Sequence, residues 1–331
     1  MTTLSHNPPT VSVLIPAYNC GPYVAKAVES VLCQTYRSFE IIVVNDGSTD
    51  NTENVLLPYR DRIVYLTGEN RGASAARNKA FSVSKGEFMA YLDADDVWQP
   101  EKLARQVELF EANPAVGVCF TDFTFFGETR DGDRGFDERN SALLRYPSRQ
   151  IGGRCCLLIS PVLLEDFLLH QAFPKPSVTM VRRQCLERVG GFDESLQICE
   201  DTQMYLRLAK HFAFAYVDEP LVQRRVRSDT LASSADSRRY ALVHIQMLES
   251  LENWIPLSSR ERSISKGLLS SYYFAAAYMD FSEGQRLTSR QYLEKSLRTH
   301  FSRKALWYFM MTFLPSEWTR TLRQFKRQLA R

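Results

Sequence analysis

Three carboxylates stand within four positions at Asp93-Ala94-Asp95-Asp96, directly after the apolar run from Glu87 to Leu92. Like charges that close repel, and burial raises their pKa values. The cluster is costly unless a cation or a set of hydroxyl partners shares it. A hard divalent ion that bridges phosphate oxygens is the natural partner. The bland reading is a solvated acidic turn ahead of the helix that opens at Pro100.

Two other polar clusters stand in similar positions. Asn45-Asp46-Gly47-Ser48-Thr49-Asp50 ends the apolar run from Glu40 to Val44. An Asp at a strand end can accept a hydrogen bond from a uracil N3–H, and Gly47 permits close backbone approach. The same residues also read as a plain capped turn. Asn70 to Asn78 joins a turn to a helix of small residues. Arg77, one turn into that helix, has the reach for a base or a phosphate. It reads equally as a surface arginine on a tightly packed helix.

These clusters need elements to hold them. Val11 to Ile15 is a short apolar run that stops at Pro16. Tyr23 to Gln34 shows helical spacing, with Pro22 suited to its first turn. Arg62 to Leu66 is a third strand run, Ser74 can cap a helix running to about Val83, and Glu87 to Leu92 is a fourth strand run. Strands alternating with helices predict a mostly parallel sheet flanked by helices. Ligands of such sheets bind beyond the carboxyl ends of the strands. Pro16-Ala17-Tyr18-Asn19, Asn45 to Ser48 and Asp93 to Asp96 are then expected to share one site.

Val11 to Asn19, Val44 to Asp50, Asn70 to Asn78 and Tyr91 to Asp96 occur in that order. Together they resemble glycosyltransferase family 2, inverting enzymes with the GT-A fold. The resemblance covers roughly residues 10 to 230. It implies that Ala17 and Tyr18 flank the base of a nucleotide-sugar donor, with Pro16, Asn19, Gly47, Asn70 and Ala94 around it. It implies that Asp46 holds the uracil edge and that Arg77 lies near base or phosphate. Asp93 would contact ribose or a metal-bound water, and Asp95 would be the main ligand of Mg²⁺ or Mn²⁺. An apolar strand with Asp-x-Asp and Val97 also resembles haloacid-dehalogenase-like phosphatases, in which the first Asp is the nucleophile. In those enzymes that strand usually comes first in its domain.

The second half carries a later match. Gly190-Gly191-Phe192-Asp193-Glu194 followed by Glu200-Asp201 resembles the block that supplies the family's general base. Asp201 is the expected base and Glu200 the alternative, with Arg207 placed to hold both by charge. The bland reading is a capping Asp at a helix start. Many relatives then carry a Tyr-Arg-x-His-like stretch. Here the run is Arg224-Arg225-Val226-Arg227, and Arg227 stands where the His would be. An arginine cannot ligate a metal, but it can clamp a departing diphosphate.

The chain has 331 residues and a formal net charge of +3, which does not suggest a nucleic-acid binder. Its seven cysteines fit neither a disulfide framework nor a zinc ribbon, so a reducing compartment is expected. Met1 to Pro9 has no apolar core and reads as a flexible N-terminus rather than a signal peptide. The longest apolar stretch, Ala305 to Leu314, is too short to span a bilayer. Expected domains are a catalytic domain over 10–235, with a donor half to about 125 and an acceptor half beyond it, and a helical region over 236–331. Thr129 to Asn140 reads as a mobile loop, and Gly152 to Pro176, with the lone His170, has no firm account. The basic segment Arg320 to Arg331, after Trp307, Tyr308, Phe309 and Trp318, could lie on an anionic membrane. The expected partners are a nucleotide sugar, most simply UDP-linked, and a glycan or lipid-linked acceptor at the cytoplasmic face. The rival from another class is a nucleotide-sugar-binding protein that keeps the fold without catalysis.

Overall fold

The computed structural model describes residues 9–127, 132–135, 148–152, 155–158, 163–170, 174–226 and 237–314. Arg227, most of the segment from Thr129 to Asn140, much of Gly152 to Pro176, the first eight residues and the basic segment Arg320 to Arg331 lie outside them. The chain divides into two compact units, Met1–Ser233 and Ser234–Arg331.

The first unit is built on one sheet. Its strands are β1 (Val11–Ala17), β2 (Phe39–Asn45), β3 (Val64–Thr67), β4 (Phe88–Tyr91), β5 (Val97–Trp98), β6 (Val116–Gly127), β7 (Ser148–Gly152), β8 (Cys155–Leu158), β9 (Thr179–Arg182) and β10 (Ala213–Val226). Their order is β3-β2-β1-β4-β9-β6-β10-β8-β7, with β5 paired to β10. β3, β2, β1 and β4 are mutually parallel. Beyond them β9 runs antiparallel between β4 and β6, while β6 and β10 are parallel. Val11, Val13, Leu14 and Ile15 are fully buried, as an inner parallel strand covered on both faces requires.

Register sets the level of the functional loops. Ala17 pairs with Asn45 and Asn45 with Thr67, so β1, β2 and β3 end together. Leu14 pairs with Tyr91, so Asp93 to Asp96 follow at the level of Ala17. One expectation changes here. β1 does not stop at Pro16 but continues through Ala17. Val217 to Pro220 is an irregular stretch within the fourteen-residue β10, where register slips around Pro220. A proline gives no ladder hydrogen bond, so a bulge accommodates it.

The helices of this unit are α1 (Val24–Leu32), α2 (Thr52–Leu56), α3 (Ala73–Val83), α4 (Lys102–Ala112), α5 (Leu163–His170), α6 (Arg183–Val189) and α7 (Glu200–Ala209). The second unit holds α8 (Ser237–Trp254), α9 (Ser259–Ser282), α10 (Arg286–Thr299) and α11 (Arg303–Met311). A reciprocal Ser258–Glu261 capping box starts α9. Ser270 of α9 and Ser296 of α10 exchange hydroxyl-to-carbonyl bonds at 3.0 and 2.9 Å.

Lys102 opens α4 fully buried. Its Nζ donates to Gln106 Oε1 at 2.7 Å and lies 3.8 Å above the Trp98 ring. Burial pushes the ammonium down to about 7 from 10.5. Between those values the unfolded chain binds a proton that the folded one has released, so folding should strengthen as pH rises from about 7 toward 10. Relative to Lys102→Met, the natural protein should gain up to about 1.4 kcal/mol per pH unit in that window. Urea titrations of both at pH 7 and 9 measure this. A difference independent of pH would show that Lys102 stays charged in the folded state.

Candidate functional site

Each loop beyond a parallel strand is fixed by its own polar groups. Asp46, 6% exposed, accepts the backbone amides of Arg71 at 3.0 Å and Gly72 at 2.7 Å. This pins the entry of α3 to the end of β2. Ser74, expected as the cap, is instead the second residue of α3; the cap is Gly72 at φ +93°. A carboxylate oxygen has two acceptor positions, so these bonds orient Asp46 without exhausting it. Gly47 has φ +73°, and a Cβ there would lie 2.8 Å from the Asn70 amide. Asn70 itself is exposed.

Within Pro16 to Asn19 the side chains divide. Pro16 and Ala17 lie within β1, Ala17 is buried, and Tyr18 is exposed. Asn19 takes a left-handed φ of 46°. Its amide donates to Ser48 Oγ at 3.0 Å and its Oδ1 accepts from the Thr49 amide at 2.8 Å. Asn19 therefore ties two loops together, where the sequence placed it around the donor.

Arg77 brings the largest correction. The sequence sends it to a base or phosphate. In the structure it is buried, with Nη2 2.8 Å from Asp93 Oδ1 and Nη1 2.8 Å from Glu200 Oε1. Burial alone would weaken its protonation; Asp93 and Glu200 more than reverse this. Its charge also lies 5.1 Å from the Phe192 ring, whose edge meets Tyr91. Arg207, expected to hold Glu200 and Asp201, donates to the carbonyls of Val189 and Gly191 at 2.8 and 2.6 Å. The arginine that pairs with Glu200 comes from α3, 123 positions away in sequence.

This engagement separates the two candidate bases. Glu200 is held by Arg77; burial, with Asp201 beside it, raises its carboxyl against that pairing. Asp201, partly exposed, accepts from the amide of its neighbour Thr202 at 2.6 Å. Both sit in the first turn of α7, where the helix dipole favours negative charge. Cys199 just before them is left-handed at φ 65°, a costly conformation for a residue with a Cβ.

The acidic run also divides. Asp93 gives one oxygen to Arg77, and its amide donates to Ser177 Oγ at 3.1 Å. Ala94 is buried. Asp96, 3% exposed, accepts from the Arg225 amide at 2.9 Å, with Arg224 Nε 3.8 Å away. Burial raises the Asp96 carboxyl, against Arg224 and with Asp93 and Asp95 adding. Asp95 is partly exposed, and its carbonyl accepts from Arg225 Nε at 3.1 Å. Arg225 in turn lies between the rings of Tyr23 and Phe126, 4.6 and 4.3 Å from their centres. Sequence reasoning missed this residue, although it stands in the arginine run already noted.

Among the described residues, no group of three or more His, Cys, Asp or Glu is arranged to hold a metal. The donor chemistry still suits a hard cation. Asp96 is committed to Arg225; Asp95 and Asp93 are the carboxylates of the run that would hold an ion. The phosphatase alternative loses its footing, because Asp93 follows a later strand and its carboxylate is paired with Arg77.

The late block is braced by Asn78. Its side chain donates to the Phe192 carbonyl at 2.9 Å and to Glu194 at 3.0 Å, and its Oδ1 accepts from the Phe192 amide at 2.8 Å. A Cβ on Gly191 would lie 2.4 Å from that oxygen.

Comparison with known proteins extends these observations. A family model described as "Glycosyl transferase family 2" matches residues 12–161. An uncharacterized glycosyltransferase of Rickettsia prowazekii is 30% identical over 230 residues, covering 69% of this chain and 67% of that protein. A UDP-Glc:alpha-D-GlcNAc-diphosphoundecaprenol beta-1,3-glucosyltransferase of Escherichia coli is 40% identical over 103 residues, 30% of this chain and 41% of that protein. The crystal structure of S. aureus TarS with UDP-GlcNAc superposes with a TM-score of 0.64 at 18% identity, over 89% of this chain and 82% of that one. A mannosyltransferase of Pyrobaculum calidifontis with GDP-Man and Mn²⁺ gives 0.51 at 18% identity, over 93% and 85%. The fold of this chain is the one those two structures share, GT-A.

Two tests follow from the bracing. Arg77→Met should cost about 3–5 kcal/mol by urea denaturation, since it strands two carboxylates. Adding Glu200→Gln should recover part of that loss, with a coupling of about 1 kcal/mol or more; strictly additive losses would show that the pair does not act as a pair. Gly191→Ala should lower stability by about 1–3 kcal/mol through the Asn78 contact, and in the double variant with Asn78→Ala most of that penalty should vanish.

Proposed function

The chain belongs to glycosyltransferase family 2, and from that premise we propose that it moves a sugar from a UDP-linked donor to a hydroxyl of a glycan or lipid-linked acceptor, with inversion. The observation that carries this reading is the pairing of Arg77 with both Asp93 and Glu200, which brings the run Asp93 to Asp96 beside the first turn of α7 that carries Asp201, while Asp46 anchors the entry of the helix that bears Arg77. The names of the relatives add UDP-linked donors and, for the E. coli protein, an acceptor on a diphosphate-linked lipid. A lipid-linked acceptor would be met at the cytoplasmic face of a membrane. No helix among the described residues is long and apolar enough to cross one.

The roles follow from the positions. Tyr18, exposed at the end of β1, offers a ring for the base. Asp46, already oriented by two amides, keeps acceptor capacity for the uracil N3–H. Mg²⁺ or Mn²⁺, bound by Asp95 with Asp93 beside it, would offset charge on the diphosphate. Arg227, outside the described residues, is assigned to the same diphosphate by sequence alone.

Asp201 takes the proton of the acceptor hydroxyl. That oxygen bonds to the anomeric carbon from the face opposite the diphosphate. The bond from that carbon to the UDP oxygen breaks, and its electron pair leaves with UDP. Glu200 stays with Arg77, so its role is to hold the first turn of α7 and thereby Asp201.

Calorimetry with UDP, with and without Mn²⁺, tests the donor site. Metal-strengthened binding is expected, lost in Asp95→Asn. UDP binding that ignores metal would sink the metal assignment. Asp201→Asn should keep UDP binding and lower transfer by about 10²-fold or more. Transfer near the natural rate would remove Asp201 as the base. UDP binding with no transfer to any acceptor would favour the non-catalytic rival.

A further inference from the structure

Charge is divided sharply between the two units. Residues 1–233 carry 25 Lys and Arg against 30 Asp and Glu, whereas residues 234–331 carry 16 against 8. The near-neutral whole therefore hides an acidic unit and a strongly basic one.

Within the basic unit, α11 has two contrasting faces. Ala305 and Met311 are buried, and Tyr308 and Phe309 pack against Ala277, Leu293 and Ala305. The outer face is apolar as well: Leu306 is 40% exposed, Met310 60% and Phe313 56%. Leu306 and Met310, four positions apart, share one stripe of α11, and Phe313 follows just beyond its end. Phe301, 64% exposed, lies just before the helix. Exposed apolar side chains in such a line mark an interaction surface.

The surroundings of this stripe are cationic. Arg303 and Lys304 open the helix exposed. Arg290 sits 3.7 Å from the centre of the Phe313 ring and donates to the Thr312 carbonyl. At the N-terminal end of α11 a cavity of about 500 Å³ is lined by Ser271, His300, Phe301, Ser302 and Lys304, among others. Hydroxyls and a cation around an open cavity suit a phosphate-bearing headgroup.

We infer that the outer face of α11 docks the protein on an anionic phospholipid surface. Phe301, Leu306, Met310 and Phe313 enter the interface, and Arg303 and Lys304 meet the headgroups. Apolar side chains beside exposed cations are what such a surface selects. Of the aromatic residues that the sequence suggested for membrane contact, Tyr308 and Phe309 hold α11 to its own unit. The inference deepens, and for its purpose rests on, the reading that the acceptor is lipid-linked.

Flotation of the full-length protein with phosphatidylcholine vesicles, with and without phosphatidylglycerol, tests it. Binding to the anionic vesicles should exceed binding to neutral ones by about tenfold or more and weaken with added salt. The combined variant Leu306→Ser, Met310→Ser, Phe313→Ser should lose roughly tenfold of that binding while calorimetric UDP binding stays unchanged. Absence of binding to anionic vesicles overturns the inference. So does full binding by the triple variant, which would place contact elsewhere in the chain. A concentration-dependent dimer abolished by the same variant, without vesicle binding, would assign the face to a second copy and overturn it too. Vesicle binding without UDP binding would leave this inference standing and remove the enzymatic one.

Discussion

A guanidinium taken out of water must be repaid by partners of opposite charge, and Arg77 has two. Asp93 comes from the end of β4 and Glu200 from the first turn of α7. Neither carboxylate is at ease without the arginine, and the arginine is not tolerable without both. The planar fork spans them where an ammonium would reach one at a time. Two consecutive elements, α3 and β4, are thereby registered against α7, whose Glu200 stands 123 positions beyond Arg77. The donor-side run Asp93 to Asp96 and the candidate base Asp201 are each within one residue of a group that Arg77 holds.

The same logic sorts the five acidic residues nearby. Asp93 shares its charge with Arg77, Asp96 is buried against Arg225 and Arg224, and Glu200 is held from α3. Asp95 and Asp201 are partly exposed, as are Asp93 and Glu200. Similar side chains within a short reach thus have different uses, decided by which cations the fold places beside them. Arg225 shows how this is done at a distance: stacked between Tyr23 and Phe126, it fixes the backbone of Asp95 and the carboxylate of Asp96 together.

The donor half was readable because its signals are local. An inner parallel strand is a continuous apolar run, and the residue that ends it is polar, so β1, β2 and β4 and their loops announce themselves. The acceptor half was less legible. There β9 runs against its neighbours and β10 passes through an irregular stretch at Pro220, features that period and propensity do not encode. The arginines were misassigned for a related reason. Arg207 is six residues from Asp201 and Arg77 is 123 from Glu200, yet the fold pairs the distant one. Sequence distance on a short helix says little about which face a side chain takes. The backbone hydrogen bonds of Asn19 and Asp46 could not be seen without the loops' conformation.

Those bonds have a dynamic meaning. The loops after β1 and β2 are stitched by Asn19 to Ser48 and Thr49, by the Gly21 amide to Asp50, and by the Cys20 amide to Thr52. No single bond can open without straining the rest, so the two loops form one cooperative unit. Ordering entropy for this edge of the site is spent during folding rather than on ligand arrival. Amide protons of Asn19 to Gly21 and of Thr49 to Thr52 are therefore expected to exchange with solvent as a single block, on a common clock.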